Sequence, residues 1–480
     1  MISKATYLIL LTTAISIAGT DYLHARQTLG VAWEISENEP ETRIQLEKFS
    51  ELGINVLELR HPVSRETVSL LSAYDFNILV RSSEEFYTLS EIRRQHQHLS
   101  ERYLKLVNTY STNFQIPAIG LLSNSQIYRQ AYMTEFSPVV DTLALHSNKT
   151  FYFVQGGEWF YFRNPLQAFA RSISGPDFRD QDLIALDAHL SDSVFSNPEI
   201  ILFMHSSWLL DGIEAYPELQ NSLVEYQESG EWLLPLPFIS ASSYSANWPV
   251  LLLLALWAGL AVQLRLLPVS GAMIFRYFLA HRFFADDILH YRERSSAAGI
   301  TIMTLHAFFG GMVLYLLAHA YISEIGLEAF YDHLPGLAIT GRNYISFFFL
   351  GVIFLLLMQF LALIWLYFPN QSLDHFSQAI NLYSGVFYID FILVTVMLTL
   401  VLSGAANAAI LVCAILFLLF WFSAFYIAAG DASKYMGPGK VIYLLLTVGL
   451  HTAATAALII LLLNSNDLLE VIDLAVSITN

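Results

Sequence analysis

The stretch PVLLLLALWAGLAVQL, residues 249–264, decides the architecture of this chain. It is the first of six long apolar runs, and the others begin near Gly299, Asn343, Phe376, Ala405 and Val441. Each run supplies roughly 20 apolar residues, enough for an α-helix to cross the ~30 Å hydrocarbon core of a bilayer. The sequence therefore predicts an all-α bundle of six transmembrane helices over residues 249–464, preceded by a polar domain.

Charge separates the two halves of the chain. Residues 1–248 carry 16 Lys and Arg against 29 Asp and Glu, whereas residues 249–480 carry 8 against 12. An acidic domain repels phosphate backbones, so we expect no nucleic-acid partner. The single cysteine, Cys413, lies inside an apolar run, which excludes an intrachain disulfide and a cysteine-based zinc site. No sequence motif indicates a metal or a cofactor.

The N-terminus has the pattern of a secretory signal sequence. Lys4 precedes an apolar stretch over residues 7–18, and His24-Ala25 lies where a signal peptidase would cleave. We therefore expect residues 1–25 to be a signal sequence, with an uncleaved anchor as the alternative. Either interpretation exports the domain of residues 26–246.

The distribution of basic residues predicts the topology. Seven of them lie between spans 1 and 2 or between spans 5 and 6: Arg265, Arg276, Arg282, Arg292, Arg294, Lys434 and Lys440. The opposite side carries only Arg342, and the tail of residues 465–480 has no Lys or Arg. By the positive-inside rule, the first domain and the C-terminal tail lie outside the cytoplasm. We expect a multi-pass protein of the bacterial inner membrane, with membrane lipid among its partners.

The exported domain alternates short β-rich runs with longer helical patterns. Predicted strands cover residues 29–35, 55–59, 77–81, 115–122, 150–154, 200–204 and 236–240. Predicted helices cover residues 42–52, 65–73, 90–110, 126–146 and 166–191. This alternation favours a parallel α/β barrel of the (β/α)8, or TIM, type, complete or incomplete. No glycine-rich loop follows the first strand, which disfavours a dinucleotide-binding sheet.

One segment of this domain resembles a known family. Residues 49–82, FSELGINVLELRHPVSRETVSLLSAYDFNILVRS, resemble the early barrel of retaining glycoside hydrolases of the β-galactosidase and β-mannosidase type. Residues 116–126, IPAIGLLSNSQ, and 234–243, LPLPFISASS, resemble the fourth and seventh strands of that family. The resemblance implies a sugar-binding barrel.

The resemblance fails at the two catalytic carboxylates. Retaining hydrolysis needs an acid/base and a nucleophile about 5 Å apart. The family has glutamate after its fourth-strand asparagine, where this chain has Ser125 after Asn124. It has a second glutamate at the end of the seventh strand, where this chain has Ala241. Hydrolysis by that mechanism is therefore not expected, and Glu158 is the best substitute acid.

Several residues near the predicted strand ends are candidates for binding a ligand. They are Trp33, Arg60, His61, Asn124, Glu158, Trp159, His205 and Trp208. Sugar rings stack their apolar faces on aromatic side chains, and polar groups beside them fix orientation. The alternative is that these aromatics are ordinary core or rim packing and that the acids are solvated.

The spans contain polar residues that are costly in a bilayer. Asp390 lies in the middle of the fourth run, and His306, His319 and His451 are candidate partners for it. A pair of this kind is either a proton path or a structural hydrogen bond between helices.

Together these observations predict a non-catalytic, membrane-anchored domain that binds a glycan or an envelope protein. Two alternatives stay open: a hydrolase or transferase with displaced acids, and a transporter with an accessory domain.

Overall fold

The computed structural model describes residues 28–478. Gaps fall at residues 36–38, 75, 83–85, 112–115, 123–129, 148, 156–166, 173–179, 192–199, 235–246, 268, 293 and 404–405. The chain divides into two compact units between Ser242 and Ser243.

The first unit is built on a curled parallel sheet. Its strands are β1 Thr28–Ala32, β2 Val56–Arg60, β3 Asn77–Arg81, β4 Ala118–Gly120, β5 Thr150–Gln155, β6 Gln167–Ser172 and β7 Ile200–His205. Each strand pairs in parallel with the next, and β1 also pairs with β7. The predicted parallel α/β architecture is confirmed. The sheet is not an eight-stranded TIM barrel, because direct pairing of β1 with β7 leaves no place for a strand between them.

Eight helices accompany these strands in the part of this unit that the structure describes. They are α1 Glu39–Glu51, α2 Arg65–Ser72, α3 Leu89–Arg94, α4 His96–Tyr110, α5 Gln130–His146, α6 Asp180–Ser191, α7 Ser206–Ala215 and α8 Pro217–Ser229. Local signals set several ends: Thr88 and Glu91 form a capping box at the start of α3, and Gly230 ends α8 with a left-handed φ of 78°. The prediction of one helix over residues 166–191 is wrong, since β6 and α6 share that stretch. Gly175-Pro176 lies between them in sequence and interrupts helical periodicity. The predicted strand at residues 236–240 lies outside the described residues.

Alternation along the strands separates the two faces of the sheet. Leu29, Val31 and Trp33 are buried against the helices, whereas Gly30 faces the interior, where a Cβ would lie 2.6 Å from the Phe203 ring. A second apolar cluster, made by Val56, Leu79, Ala118, Tyr152, Val154 and Phe203, fills the inside of the sheet. The inward positions near the carboxyl ends of the strands are polar, and they form the site described below.

The second unit is helical. Its helices are α9 Asn247–Leu266, α10 Val269–Leu279, α11 His281–Leu289, α12 Ala297–Tyr321, α13 Glu324–His333, α14 Ile345–Tyr367, α15 Phe376–Ser384, α16 Asp390–Leu402, α17 Asn407–Ala432, α18 Lys440–Leu444, α19 Leu450–Asn464 and α20 Asn466–Ser477. Among the described residues, six segments are long and apolar enough to cross a membrane: span 1 Trp248–Leu266, span 2 Ala297–Tyr321, span 3 Ile345–Tyr367, span 4 Phe376–Leu402, span 5 Asn407–Ala432 and span 6 Gly437–Leu461. All six coincide with the predicted apolar runs. The chain thus has the helices of a multi-pass membrane protein.

Burial differs sharply among the spans. In span 2, 61% of the most apolar window is buried inside the protein, whereas in span 6 only 6% is buried. Glycines let spans 2 and 3 approach closely: a Cβ at Gly311 would lie 2.5 Å from the carbonyl oxygen of Phe348, and one at Gly351 would lie 2.8 Å from the Cα of Gly311. Small residues at such crossings allow backbone-to-backbone packing in membranes.

Two spans depart from regular α-helix. Span 4 contains a 3₁₀ segment, Gly385–Ile389, between α15 and α16, and span 6 contains a π-helical segment, Leu445–Gly449. At Gly385 a Cβ would lie 2.3 Å from the Tyr277 ring, so this position accepts only glycine without a shift. The 3₁₀ segment ends directly before Asp390.

Candidate functional site

Three charged or polar residues meet at the carboxyl ends of β1, β2 and β7. Glu34 follows β1 by two residues, and Arg60 and His205 are the last residues of β2 and β7. Glu34 Oε1 lies 3.9 Å from Arg60 Nη1 and 3.7 Å from His205 Nε2. Parallel pairing of β1 with both neighbours brings the three strand ends to one edge. We call Glu34, Arg60 and His205 the mouth cluster, because ligands of parallel α/β folds bind at this end of the strands.

Electrostatics keep Glu34 ionised. The nearby His205 ring lowers the pKa of the Glu34 carboxyl most, burial opposes this effect, and the charge of Arg60 lowers the pKa further. The His205 ring is itself oriented by a 2.8 Å hydrogen bond between Nδ1 and Ser207 Oγ. The side chains of Glu34 and Arg60 are 60% and 41% exposed, so a ligand can reach both.

A second, buried group lies at inward positions of β2, β3 and β5. Arg81 Nη2 lies 3.0 Å from Glu58 Oε2, and Tyr152 donates a 2.6 Å hydrogen bond to Glu58 Oε1. The Arg81 and Glu58 side chains are only 1% and 2% exposed. Burial, and then the neighbouring Glu58 charge, raises the pKa of Tyr152, which keeps its proton on the phenol. We call Glu58, Arg81 and Tyr152 the inner cluster.

Glycine makes room for this cluster. A Cβ at Gly120 would lie 2.7 Å from the Tyr152 hydroxyl and 2.9 Å from Arg81 Cγ. The register places Gly120 beside both Arg81 and Tyr152. The absence of a side chain on β4 therefore determines where the guanidinium and the phenol can lie.

The Arg81 guanidinium is incompletely satisfied. A guanidinium has five N–H donors. Arg81 Nε and Nη1 are buried and have no hydrogen-bond partner in the protein as the structure describes it. Leaving buried charged donors without acceptors costs several kcal/mol. The inner cluster therefore calls for additional acceptor oxygens, from a ligand or from ordered water.

Two of the predicted aromatic residues lie elsewhere. Trp33 and Trp208 are buried in the layer between strands and helices. Trp33 Nε1 donates a 2.9 Å hydrogen bond to Gln45, and its ring meets Phe49 edge to face. Neither indole offers a face to a sugar in this structure. His61 is held by a 2.8 Å hydrogen bond between Nδ1 and the Tyr110 hydroxyl, and burial, with the Arg102 charge second, lowers the pKa of its ring.

The other sequence candidates, Asn124, Ser125, Glu158, Trp159 and Ala241, lie outside the described residues. The strand order nevertheless bears on how Ala241 was selected. The seventh strand among the described residues is Ile200–His205, and residues 235–246 lie outside them. Its end carries His205, and no carboxylate occupies that position.

The inner cluster was missed by the sequence analysis. Glu58 and Arg81 lie in short strands that were predicted from their apolar residues, VLELR and NILVR. The available signal was alternation, since a charge two positions from a buried apolar residue faces the same side of a strand.

The membrane unit contains its own buried pair. His306 in span 2 and Asp390 in span 4 share a hydrogen bond between Nδ1 and Oδ2, and both side chains are fully buried. The imidazole is sandwiched between Phe387 at 4.0 Å and Phe417 at 4.9 Å, nearly parallel to both rings. His451 instead stacks on Phe425 at 4.1 Å, and His319 lies 5.0 Å from the Tyr344 ring.

No group of three or more His, Cys, Asp or Glu side chains suited to a metal ion occurs among the residues that the structure describes. Comparison of the chain with protein-family models, curated proteins and solved structures finds no match. The case for a function therefore rests on the geometry of the two sites.

Proposed function

We propose that the first unit binds a glycan at the mouth and inner clusters, outside a bacterial cytoplasmic membrane in which the six spans anchor it. The observation that carries this proposal is the Arg81 guanidinium, buried beneath the mouth with two nitrogens lacking acceptors. A glycan offers many hydroxyl oxygens that accept from Arg81 and Arg60. Its hydroxyl groups can also donate to Glu34. The resemblance of residues 49–82 to sugar-cleaving barrels supports the same ligand class.

The electrostatics favour binding without hydrolysis. A general acid for glycoside cleavage needs a raised pKa, but the partners of Glu34 lower its pKa. A nucleophile needs an open carboxylate oxygen, but Arg81 and Tyr152 engage both oxygens of Glu58. Neither carboxylate is suited to the catalytic roles that the resembling family requires.

The charge distribution supports the proposed topology. The basic residues between spans 1 and 2 and between spans 5 and 6 place those segments in the cytoplasm by the positive-inside rule. An even number of spans then returns the C-terminal tail to the side of the first unit. In this arrangement the mouth cluster samples glycans or envelope proteins in the periplasm.

A binding measurement on the full-length protein in nanodiscs tests the proposal. Titration calorimetry with β-linked galacto- and manno-oligosaccharides should show binding by the wild-type chain. Arg81→Lys keeps the positive charge but removes the guanidinium fork, so we expect affinity to fall at least about tenfold, since one charge-assisted hydrogen bond contributes about 1.5–3 kcal/mol.

Arg93→Gln is the matched control. Arg93 on α3 forms an exposed ion pair with Glu135 on α5, 2.5 Å away, and neither residue belongs to a strand. This variant should bind like the wild type. Equal affinity of the Arg81→Lys and wild-type chains, or binding by neither, would contradict the proposal.

A further inference from the structure

Span 4 presents a row of buried polar side chains on one face. Gln378, Asn381 and Ser384 are spaced three residues apart in α15, which places them on one side of that helix, and Tyr388 follows in the 3₁₀ segment. Gln378, Asn381 and Ser384 are buried, as is Gln263 of span 1, which contacts Tyr388. We call these five residues the polar seam.

One end of the polar seam meets the segment between spans 1 and 2. Gln378 Nε2 donates hydrogen bonds of 3.1 Å to the carbonyl oxygens of Ile288 and Leu289. Asn381 Nδ2 donates one of 3.0 Å to the carbonyl oxygen of Ser295. This end of the seam therefore lies at the segment of residues 288–296, where the backbone leaves α11 and enters span 2.

The middle of the seam packs against the first turn of span 2. An ideal Cβ on Gly299 would lie 2.9 Å from Asn381 Oδ1 and 3.0 Å from Ser384 Oγ. Gln263 Nε2 donates to the carbonyl oxygen of Ala298 at 3.2 Å and to the Tyr388 hydroxyl at 2.9 Å. Polar groups from spans 1 and 4 thus converge at residues 298–299.

The other end of the seam adjoins the His306–Asp390 pair. His306 is seven residues beyond Gly299, a rise of about 10 Å along an α-helix. Tyr388 crosses this interval, because its backbone is two residues from Asp390 while its hydroxyl reaches Gln263. Asp390 is the fifteenth of 27 residues in span 4, and His306 is the tenth of 25 in span 2. The pair therefore lies near the centre of the membrane.

Four buried atoms along this line have no hydrogen-bond partner in the described structure. They are Asn381 Oδ1, Gln263 Oε1, Asp390 Oδ1 and His306 Nε2. Buried polar atoms are normally satisfied, by protein or by ordered water. A clamp that only held helices together would have no need for a series of open acceptors. Ordered water molecules along this line would satisfy all four atoms.

Within span 4, the buried polar residues stop at Asp390. Beyond Asp390, the buried residues of span 4 are Phe391, Val394, Met397 and Leu398. The hydroxyls of Thr395 and Thr399 donate to carbonyl oxygens one turn earlier in the same helix. The seam therefore reaches the pair from one side only.

We propose that the polar seam is a hydrated half-channel that carries protons between the segment of residues 288–296 and the His306–Asp390 pair. A proton from water enters beside Asn381, passes along ordered waters and the Tyr388 hydroxyl, and binds Asp390 Oδ1 or His306 Nε2. The reverse movement releases it, and no bond between heavier atoms changes. With the charge bias described above, the half-channel opens to the cytoplasm.

Other titratable side chains lie on the spans that contribute to the surroundings of the pair. They are Tyr315, His319 and Tyr321 in span 2, Tyr383 and Tyr388 in span 4, and Cys413, Tyr426 and Asp431 in span 5. Across the six described spans, the remaining charged residues, Arg265, Asp431 and Lys440, lie near span ends. Proton binding at this end of the seam is therefore assigned to His306 and Asp390, whereas His451, at mid-length of span 6, stacks on Phe425.

Cysteine accessibility in the full-length protein tests the hydration of the seam. Because Cys413 is the only cysteine, Cys413→Ala gives a thiol-free background. Asn381→Cys and Ser384→Cys on this background should react with a small charged methanethiosulfonate added to the side of residues 288–296. Val394→Cys and Met397→Cys, on the apolar side of the pair, are the matched controls. We expect rates at least about tenfold higher in the seam, because only the hydrated thiol forms a thiolate readily.

Infrared titration tests the proton site itself. The carboxyl band of Asp390 should shift in D₂O and titrate with pH in nanodiscs, and it should be absent in Asp390→Asn. Equal labelling on both sides of the pair would overturn the half-channel. Labelling of the seam with no titrating carboxyl band would overturn the proton site. All four labelling variants leave the pair intact, so the labelling test does not depend on the folding of Asp390→Asn.

Discussion

The inner cluster of the first unit and the His306–Asp390 pair of the spans both bury ionisable side chains, but in different surroundings. Each is a buried pairing of a carboxylate with a nitrogen base, and each leaves polar atoms without a partner in the described protein. Arg81 cannot lose its proton under ordinary conditions, so its cluster remains an ion pair. The pair in the spans can become neutral by moving one proton from His306 to Asp390. The difference shows that the buried pair of the first unit keeps its charges, whereas the buried pair of the membrane unit can become neutral.

Removing the base from each pair should separate the two cases. Arg81→Met leaves the buried Glu58 without its cation, which should cost about 3–5 kcal/mol of stability. His306→Phe leaves Asp390 able to take up a proton and become neutral, so we expect a smaller loss of about 1–3 kcal/mol. Pulse proteolysis of the full-length protein in detergent, with cleavage sites assigned to each unit, measures both. Glu58→Met with Arg81→Met should recover much of the first loss. A larger loss for His306→Phe than for Arg81→Met would break the comparison.

Adding a methyl group at a packed and at an open glycine should change stability by an intermediate amount. Gly311→Ala places a Cβ against a backbone oxygen that cannot move independently, and overpacking of this kind costs about 1–3 kcal/mol. Gly430→Ala, in a helical position with no heavy atom within 4 Å of the new Cβ, should instead stabilise span 5 by about 0.5–1 kcal/mol. Thermal unfolding of the two variants in the same detergent checks the sign of each change. Equal effects would mean that spans 2 and 3 are less tightly packed than the structure indicates.

The smallest expected effect belongs to the mouth cluster. The folded-state pKa of Glu34 is lowered from 4.5, so its contribution to stability is present above pH 4.5 and is lost as pH falls through the folded-state value. Because the side chain is more than half exposed, that contribution is below about 1 kcal/mol. Glu34→Gln should therefore be slightly less stable than the wild type near neutral pH, and the two should converge well below pH 4.5. An unchanged difference in acid would show that the charge of Glu34 is not what stabilises the cluster.

The sequence predicted those features that depend on neighbouring residues. The six spans follow from runs of apolar residues, and most strands follow from short β-rich runs between helical patterns. β6 was missed because QAFARS continues into a stretch with helical composition, and only its pairing with β5 and β7 reveals it.

Features that depend on distant residues were predicted only in part. Asp390 and three candidate histidines could be named, but 84 residues separate Asp390 from His306, and only the packing of spans 2 and 4 selects that partner. Two of the three residues of the mouth cluster were candidates, since Arg60 and His205 directly follow predicted strands. The inner cluster required the register of β2, β3, β4 and β5, which fixes which alternating residues share the inside of the sheet.

The low burial of span 6 has a consequence for how the chain can vary. Only 6% of the most apolar window of this helix is buried by protein, so most of its side chains need only be apolar enough to face lipid. Exchange among leucine, isoleucine, valine and phenylalanine there should be nearly neutral, whereas the same exchanges in span 2 would meet neighbours on most sides. Substitutions should therefore accumulate fastest in the last span, which is also the place where a spectroscopic label would disturb the protein least.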